Sequence, residues 1–198
     1  MKLFWHPKTR ASRVMWMLEE TGVPYEVVPI DLRDPSKPRD PEFALASPMG
    51  KVPALADGET RLADSAAICL YLADRYPKAG LAPAVDDPKR GPYLWWMVYG
   101  PGAVEPAMMQ KFSGAKADRR AIGWGDFDLM IETFEKGLAA GPWILGDRFS
   151  AADVVLGSSA YFMMMFGILP ASPVIEAYIE RCLARPGYKK ALTMDAAA

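Results

Sequence analysis

Apolar positions change period several times along the first eighty residues, and the changes predict an alternation of strands and helices. Leu3-Phe4-Trp5 is a compact apolar run, and residues 11–22 then repeat apolar side chains at helical spacing as far as Gly22. Short runs follow at 25–30, 53–56 and 60–63, the last two flanking Asp57-Gly58-Glu59. The pattern predicts strands at 2–6, 25–30, 53–56 and 60–63, helices at 11–22 and 65–75, and one helical turn near 41–46 inside a proline-rich loop. A strand, a helix and a strand in succession call for a parallel pair, whereas Asp-Gly between two short runs is hairpin chemistry. The four-stranded sheet is therefore predicted to be mixed.

Tyr76-Pro77-Lys78-Ala79-Gly80 stops the last of these helices, and Pro83, Asp86, Asp87 and Pro88 extend a stretch of breakers. Beyond it no strand pattern appears. The expected division is an α/β domain over 1–78, a linker over 79–87 and an all-helical domain over 88–198. Helices are predicted at 88–111, 118–139, 150–168, 172–185 and 187–193. Ser150 followed three residues later by Asp153 approximates a capping box. The apolar stretch from Val154 to Leu169 falls short of the ~20 residues of a membrane span and carries glycines and serines, so it reads as a buried core helix that includes Met163-Met164-Met165.

Composition narrows the classes of function. Apolar residues make up 51% of 198 positions, enough for a packed core. Lys and Arg total 23 against 24 Asp and Glu, and the net charge of −1 offers no field to gather nucleic acid or anionic lipid. The chain opens directly into a strand without a basic, then apolar, leader, so a cytoplasmic location without membrane attachment is expected. Cys69 and Cys182 lie far apart, which argues against a disulfide framework or a dithiol redox site. Both read as core cysteines. No metal is expected.

The chemistry concentrates in two short segments. Lys51-Val52-Pro53-Ala54-Leu55 opens a strand with a proline, which suits a sheet edge, and a cis bond at Pro53 would turn the Val52 backbone outward. The Val52 N–H and C=O could then pair with an extended peptide as an added strand. Nine residues after Leu55, Asp64-Ser65 heads a helix, where free N–H groups, a hydroxyl and the positive end of the helix dipole suit a carboxylate.

Those two segments, with the strand from Lys2 to His6, the helix ending Leu18-Glu19-Glu20-Thr21-Gly22-Val23-Pro24 and the later Gly146-Asp147-Arg148-Phe149-Ser150-Ala151-Ala152-Asp153, resemble the soluble glutathione transferase superfamily in order and spacing. The resemblance covers essentially the whole chain. It implies a thioredoxin-like first domain, a helical second domain, glutathione as co-substrate and a homodimer. By the same resemblance Val52 and Pro53 receive the glutathione backbone, Lys51 the glycyl carboxylate, Asp64 the γ-glutamyl ammonium and Ser65 the γ-glutamyl carboxylate.

The residue that activates the thiol lies, in this family, between the first strand and the first helix. Thr9 is the first candidate here, counted back from Arg13; Ser12, Arg10 and backbone N–H groups are the alternatives. A threonine departs from the usual Ser, Cys or Tyr, and its β-branching limits its rotamers. His6, the single histidine, has no partners spaced to make it a general base. The family's second-substrate pocket would draw on Tyr99, Glu105, Met108, Met109 and Phe112. The expected activity is conjugation of the glutathione thiolate to small hydrophobic electrophiles, with a detoxifying role. A non-catalytic glutathione-binding or protein-interaction module, or a glutathione-dependent isomerase or dehalogenase, are the alternatives. Disulfide reduction normally wants a cysteine in the first loop, and residues 6–13 contain none.

Overall fold

Strand β1 (Lys2–Trp5) is the centre of the first half of the chain: its Leu3, Phe4 and Trp5 are all buried. The structure, a computed structural model, describes residues 1–33, 40–116 and 118–196; the proline-rich loop expected before residue 41 lies largely outside them. β1 pairs in parallel with β2 (Glu26–Pro29), after the crossover helix α1 (Ala11–Thr21). It pairs antiparallel with β3 (Ala54–Asp57), which turns through Gly58 into the antiparallel β4 (Thr60–Ala63). The strand order is β2-β1-β3-β4, the mixed four-stranded sheet that the hairpin and crossover signals predict. The short helix α2 (Pro41–Ala46) is capped by Asp40, whose carboxylate accepts from the N–H groups of Glu42 and Phe43, and Phe43 packs on Phe4 with ring centroids 5.6 Å apart.

α1 ends where Gly22 adopts φ 69° and its N–H bonds the Leu18 carbonyl, a left-handed cap that a glycine makes at least cost. From Arg13 to Leu18 every residue of α1 is buried, because β1, α3 (Ser65–Arg75) and the last helix α9 (Pro186–Ala196) pack on it. Each fully buried Leu or Met contributes about 1.5–3 kcal/mol relative to exposure.

The chain divides into two compact units, Met1–Ala79 with Arg185–Ala198, and Gly80–Ala184. The boundary at Ala79–Gly80 falls in the breaker-rich stretch. The chain from Arg185 on, expected within the helical domain, instead clusters with the first unit. The reason is in its contacts with α1: Tyr188 meets Trp16 edge-on at 5.0 Å, and Arg185 and Lys190 pair with Glu20 and Glu19.

The second unit is all helical. The helix expected over 88–111 is α4 (Arg90–Tyr99) and α5 (Glu105–Ser113), joined by a π-helical segment, Gly100–Val104. Pro101 inside this stretch cannot donate a ladder hydrogen bond, and Gly100 lies so close to α7 (Ala151–Met165) that an added Cβ would sit 2.5 Å from Val155 Cγ1. The helix expected over 118–139 begins only at Phe127, where Asp126 accepts from the Leu129 N–H at 2.7 Å, and forms α6 (Phe127–Leu138). α7 is buried at every position from Ala151 to Ala160 and packs on α4 and on α8 (Pro173–Ala184). Among the described residues no helix is long and apolar enough to cross a membrane. Met163 is buried, but Met164 and Met165, expected in the core, are exposed at the end of α7.

Candidate functional site

Sheet register decides which loops meet. Phe4 pairs with Ala54, and Ala54 with Ala63, so the end of β1, the start of β3 and the end of β4 share one end of the sheet. The loop 6–10, the segment Lys51-Val52-Pro53 and the start of α3 at Asp64-Ser65 therefore emerge together. Thr9, Arg10, Ser12, Lys51, Val52, Pro53, Asp64 and Ser65 all belong to this one end of the first unit.

The Val52–Pro53 peptide bond is cis, and among the described residues no partner meets the Val52 N–H or C=O. Ser47 holds this segment from behind. Its buried hydroxyl accepts from the Lys51 N–H at 2.9 Å and donates to the Lys51 carbonyl at 2.7 Å, closing the loop that carries the exposed Lys51 side chain. Sequence reasoning missed Ser47, because a lone serine before Pro48 carries no local signal of a contact four residues on.

At the start of α3, Asp64 adopts φ 72° and ψ 124°, a sparsely populated conformation for a side-chain-bearing residue that costs about 1–3 kcal/mol. Its carboxylate offsets part of that cost by accepting from the N–H groups of Ala66 at 2.9 Å and Ala67 at 3.2 Å through one oxygen. Among the described residues the second oxygen has no hydrogen-bond partner. Ser65, 4% exposed, is the first helical residue, so its N–H has no intrahelical acceptor. Its Oγ accepts from Arg13 Nη1 at 2.7 Å. A hydroxyl with one acceptor site filled by an arginine has its proton to give, and Arg13, 2% exposed, adds a buried positive charge directly behind it. A carboxylate fits this spot better than any cation.

The loop before α1 is closed by its own hydroxyls. Thr9 Oγ1 donates to the His6 carbonyl at 2.7 Å and accepts from the Ala11 N–H at 3.2 Å; Ser12 Oγ donates to the Thr9 carbonyl at 2.9 Å. Lys8 sits at φ 57°. Arg10 is exposed and Ser12 half-buried. His6 Nδ1 lies 2.9 Å from the Ile30 carbonyl, so that nitrogen carries the proton and the ring braces β1 against the segment after β2. Cys69, completely buried in α3, is no substitute thiol: burial pushes it up to about 12.

The residues proposed from the sequence for a second substrate all lie in the second unit, Gly80–Ala184. Tyr99 donates to the Met130 carbonyl at 2.8 Å, and burial pushes its phenol up to about 12, so it is not an acid at neutral pH. It lines a cavity of about 460 Å³ with Trp95, Arg119, Trp124, Leu129 and Thr133. Met108 is buried, Glu105 is half-buried at the start of α5, and Met109 and Phe112 are exposed. Phe112 packs edge-on against Phe166 at 5.4 Å. Tyr99 and Phe112 thus sit in different surroundings within that unit.

Comparison with known proteins bears on the whole chain. The family model for the glutathione S-transferase N-terminal domain matches residues 9–75, and that for the glutathione S-transferase C-terminal domain matches 116–181. Glutathione S-transferase-like protein gedE of Aspergillus terreus is 30% identical over 210 residues, covering 91% of this chain and 89% of its own length. Disulfide-bond oxidoreductase YfcG of Escherichia coli is 28% identical over 205 residues, covering 96% and 93%. The solved structure of a sphingomonad glutathione S-transferase complexed with glutathione superposes with a TM-score of 0.81 at 30% identity, covering 100% of both chains. With both family halves matched in order on a mixed sheet followed by helices, this chain belongs to the glutathione transferase superfamily.

Proposed function

We propose that the protein is a glutathione transferase that binds glutathione at the end of the sheet, ionises its thiol and conjugates the thiolate to small apolar electrophiles. The observation that carries this reading is the convergence of a Val52 peptide without a partner among the described residues, the Ser65 hydroxyl at the start of α3 and the loop 6–10. Glutathione offers three matching parts: an extended backbone for Val52, a γ-glutamyl carboxylate for Ser65 and a thiol between them. The second Asp64 oxygen suits the γ-glutamyl ammonium, and Lys51 the glycyl carboxylate.

The thiolate is the attacking species, and a free thiol with a pKa near ~8.5 is only a few per cent ionised at neutral pH. Lowering that value by two units corresponds to about 2.7 kcal/mol of thiolate stabilisation. Thr9 is the hydroxyl of the loop that leads into α1, and its proton is engaged by the His6 carbonyl. Exchanging that neutral bond, worth about 0.5–1.5 kcal/mol, for a charge-assisted one of about 1.5–3 kcal/mol favours the thiolate. Backbone N–H groups at the start of α1 and the helix dipole supply the rest. The sulfur then bonds the electrophilic carbon as a leaving group departs with its electron pair, or, with an epoxide or an unsaturated carbonyl, as the C–O bond or the carbon–carbon π bond opens and the resulting anion takes a proton from water. Tyr99, Glu105, Met108, Met109 and Phe112 are the side chains proposed to receive the electrophile. A homodimer, a cytoplasmic location and a detoxifying role belong to the same reading through the family resemblance.

A second reading is favoured by one observation, the 28% identity with an Escherichia coli protein named disulfide-bond oxidoreductase. With no cysteine at 6–13, two glutathione molecules would supply both electrons, forming glutathione disulfide and releasing two thiols. Turnover of an aryl halide, an epoxide, an unsaturated carbonyl and a small disulfide, each with glutathione, tests both. Conjugation of any of the first three supports the transferase; turnover of the disulfide alone supports the second reading; no turnover of any removes both.

A further inference from the structure

The end of the chain reaches the loop before α1 through a single carboxylate. Asp195, near the end of α9 and 9% exposed, gives each of its oxygens a different donor. Oδ1 accepts from the Trp5 indole N–H at 3.1 Å and Oδ2 from the Lys8 backbone N–H at 3.2 Å. Trp5 is the last residue of β1, and Lys8 is the residue whose φ of 57° turns the loop. A lysine has no intrinsic reason to occupy the left-handed region, so contacts around it must hold it there. The Asp195 carboxylate bonds the very peptide that is turned. Thr9, next in sequence, closes the same turn with its bond to His6.

We propose that Asp195 is a positioning residue: through Lys8 it fixes the turn that presents Thr9 and the first N–H groups of α1 to the glutathione sulfur. The inference rests on the transferase reading above. It concerns the thiol end of the ligand alone, because the anchoring residues have supports of their own, Ser47 beneath Lys51 and Arg13 behind Ser65. α9 can place a carboxylate at this point because it is registered on α1. Arg185 grips Glu20 with two bonds of 2.7 and 2.6 Å, and Tyr188 packs edge-on against Trp16. A two-pronged arginine pair of this kind sets orientation as well as proximity.

The test combines amide hydrogen exchange with kinetics in wild type, Asp195→Ala, Asp195→Asn and Lys190→Ala. In Asp195→Ala, exchange at the Lys8 amide should quicken about tenfold or more, and kcat should fall about tenfold, while the glutathione dissociation constant changes less than about twofold. Asp195→Asn keeps the size of the side chain and one carbonyl oxygen, so both readouts should be intermediate; it carries the test if the alanine protein does not fold. Lys190→Ala removes an ion pair from the exposed side of the same helix and should leave Lys8 exchange and kcat at wild-type values. Unchanged Lys8 exchange in the Asp195 variants overturns the proposal, and so does an equal fall of kcat in Lys190→Ala. Exchange needs no turnover, so an inactive wild type would count against the transferase reading alone.

Discussion

Thr9 has one proton, and the loop already uses it. The expected effect of Thr9→Ala is therefore the difference between two hydrogen bonds, about 0.5–2 kcal/mol, or a rise of roughly 0.4–1.5 units in the pKa of bound glutathione. Turnover near neutral pH should fall about three- to thirtyfold, with Thr9→Ser close to wild type. Equal thiol pKa values in all three proteins, read from the thiolate's ultraviolet absorbance, would pass the role to backbone N–H groups. At Ser65 the prediction concerns affinity. Ser65→Ala removes a donor to a carboxylate and leaves the buried Arg13 guanidinium without the Oγ it donates to, so glutathione should bind about tenfold more weakly or worse by calorimetry. An unchanged dissociation constant would detach Ser65 from the ligand. Sequence alone could single out Val52, Pro53, Asp64 and Ser65, because each announces itself locally, through a proline at a strand start or an acidic-serine pair at a helix start. Ser47, Asp195 and the Arg13–Ser65 bond each act through a contact that no short motif records, and Asp195 reaches Lys8 across 187 positions.

At the scale of elements, the start of α7 holds a buried polar cluster. Asp153 is buried and accepts four hydrogen bonds, from the Ile144 and Ser150 N–H groups and from the Ser150 and Tyr178 hydroxyls. Burial outweighs those donors and pushes its carboxyl up to about 6 from an ordinary 3.8. A carboxyl whose folded value lies above its unfolded value stabilises most at pH below about 4 and loses that contribution as pH rises through 6; between pH 5 and pH 7 the loss is about 1 kcal/mol. Carboxyl nuclear magnetic resonance of Asp153 should return a midpoint near 6, and a midpoint below 4 would show the four donors dominating. Asp153→Ala strands those donors and should cost about 3 kcal/mol or more in denaturant unfolding; a loss under about 1 kcal/mol would mean that water replaces the carboxylate. The capping box was visible as Ser150 and Asp153, but Ile144 and Tyr178 as its partners were not. Strands and α1 were readable from period alone, and the mixed sheet from the hairpin and the crossover. The break of α4 from α5 is hidden in the sequence because the buried positions Tyr93, Trp96, Met97, Gly100, Val104, Ala107 and Met108 keep a helical spacing straight across Pro101. The partner of α9 was hidden for another reason: an apolar face states that a helix packs, not on what.

For the whole molecule, the claim is that a ligand with three recognisable parts meets three segments brought to one end of a sheet. Glutathione binding to the folded state at about 100 times its dissociation constant should add ~2.7 kcal/mol, a rise of roughly 5–10 °C in melting temperature for a chain of this size. The same concentration of a peptide lacking the γ-glutamyl linkage should do far less, since its carboxylate cannot reach Ser65 while its backbone lies on Val52. Binding without ionisation would still describe only a carrier. The most direct measurement is the pH titration of the thiolate absorbance of glutathione bound at saturation to the wild-type protein. A midpoint about one to two units below the free thiol's ~8.5 is the predicted result, since the stabilisation available from one hydroxyl, backbone N–H groups and a helix start amounts to about 1.4–2.7 kcal/mol. A midpoint equal to that of free glutathione would contradict it.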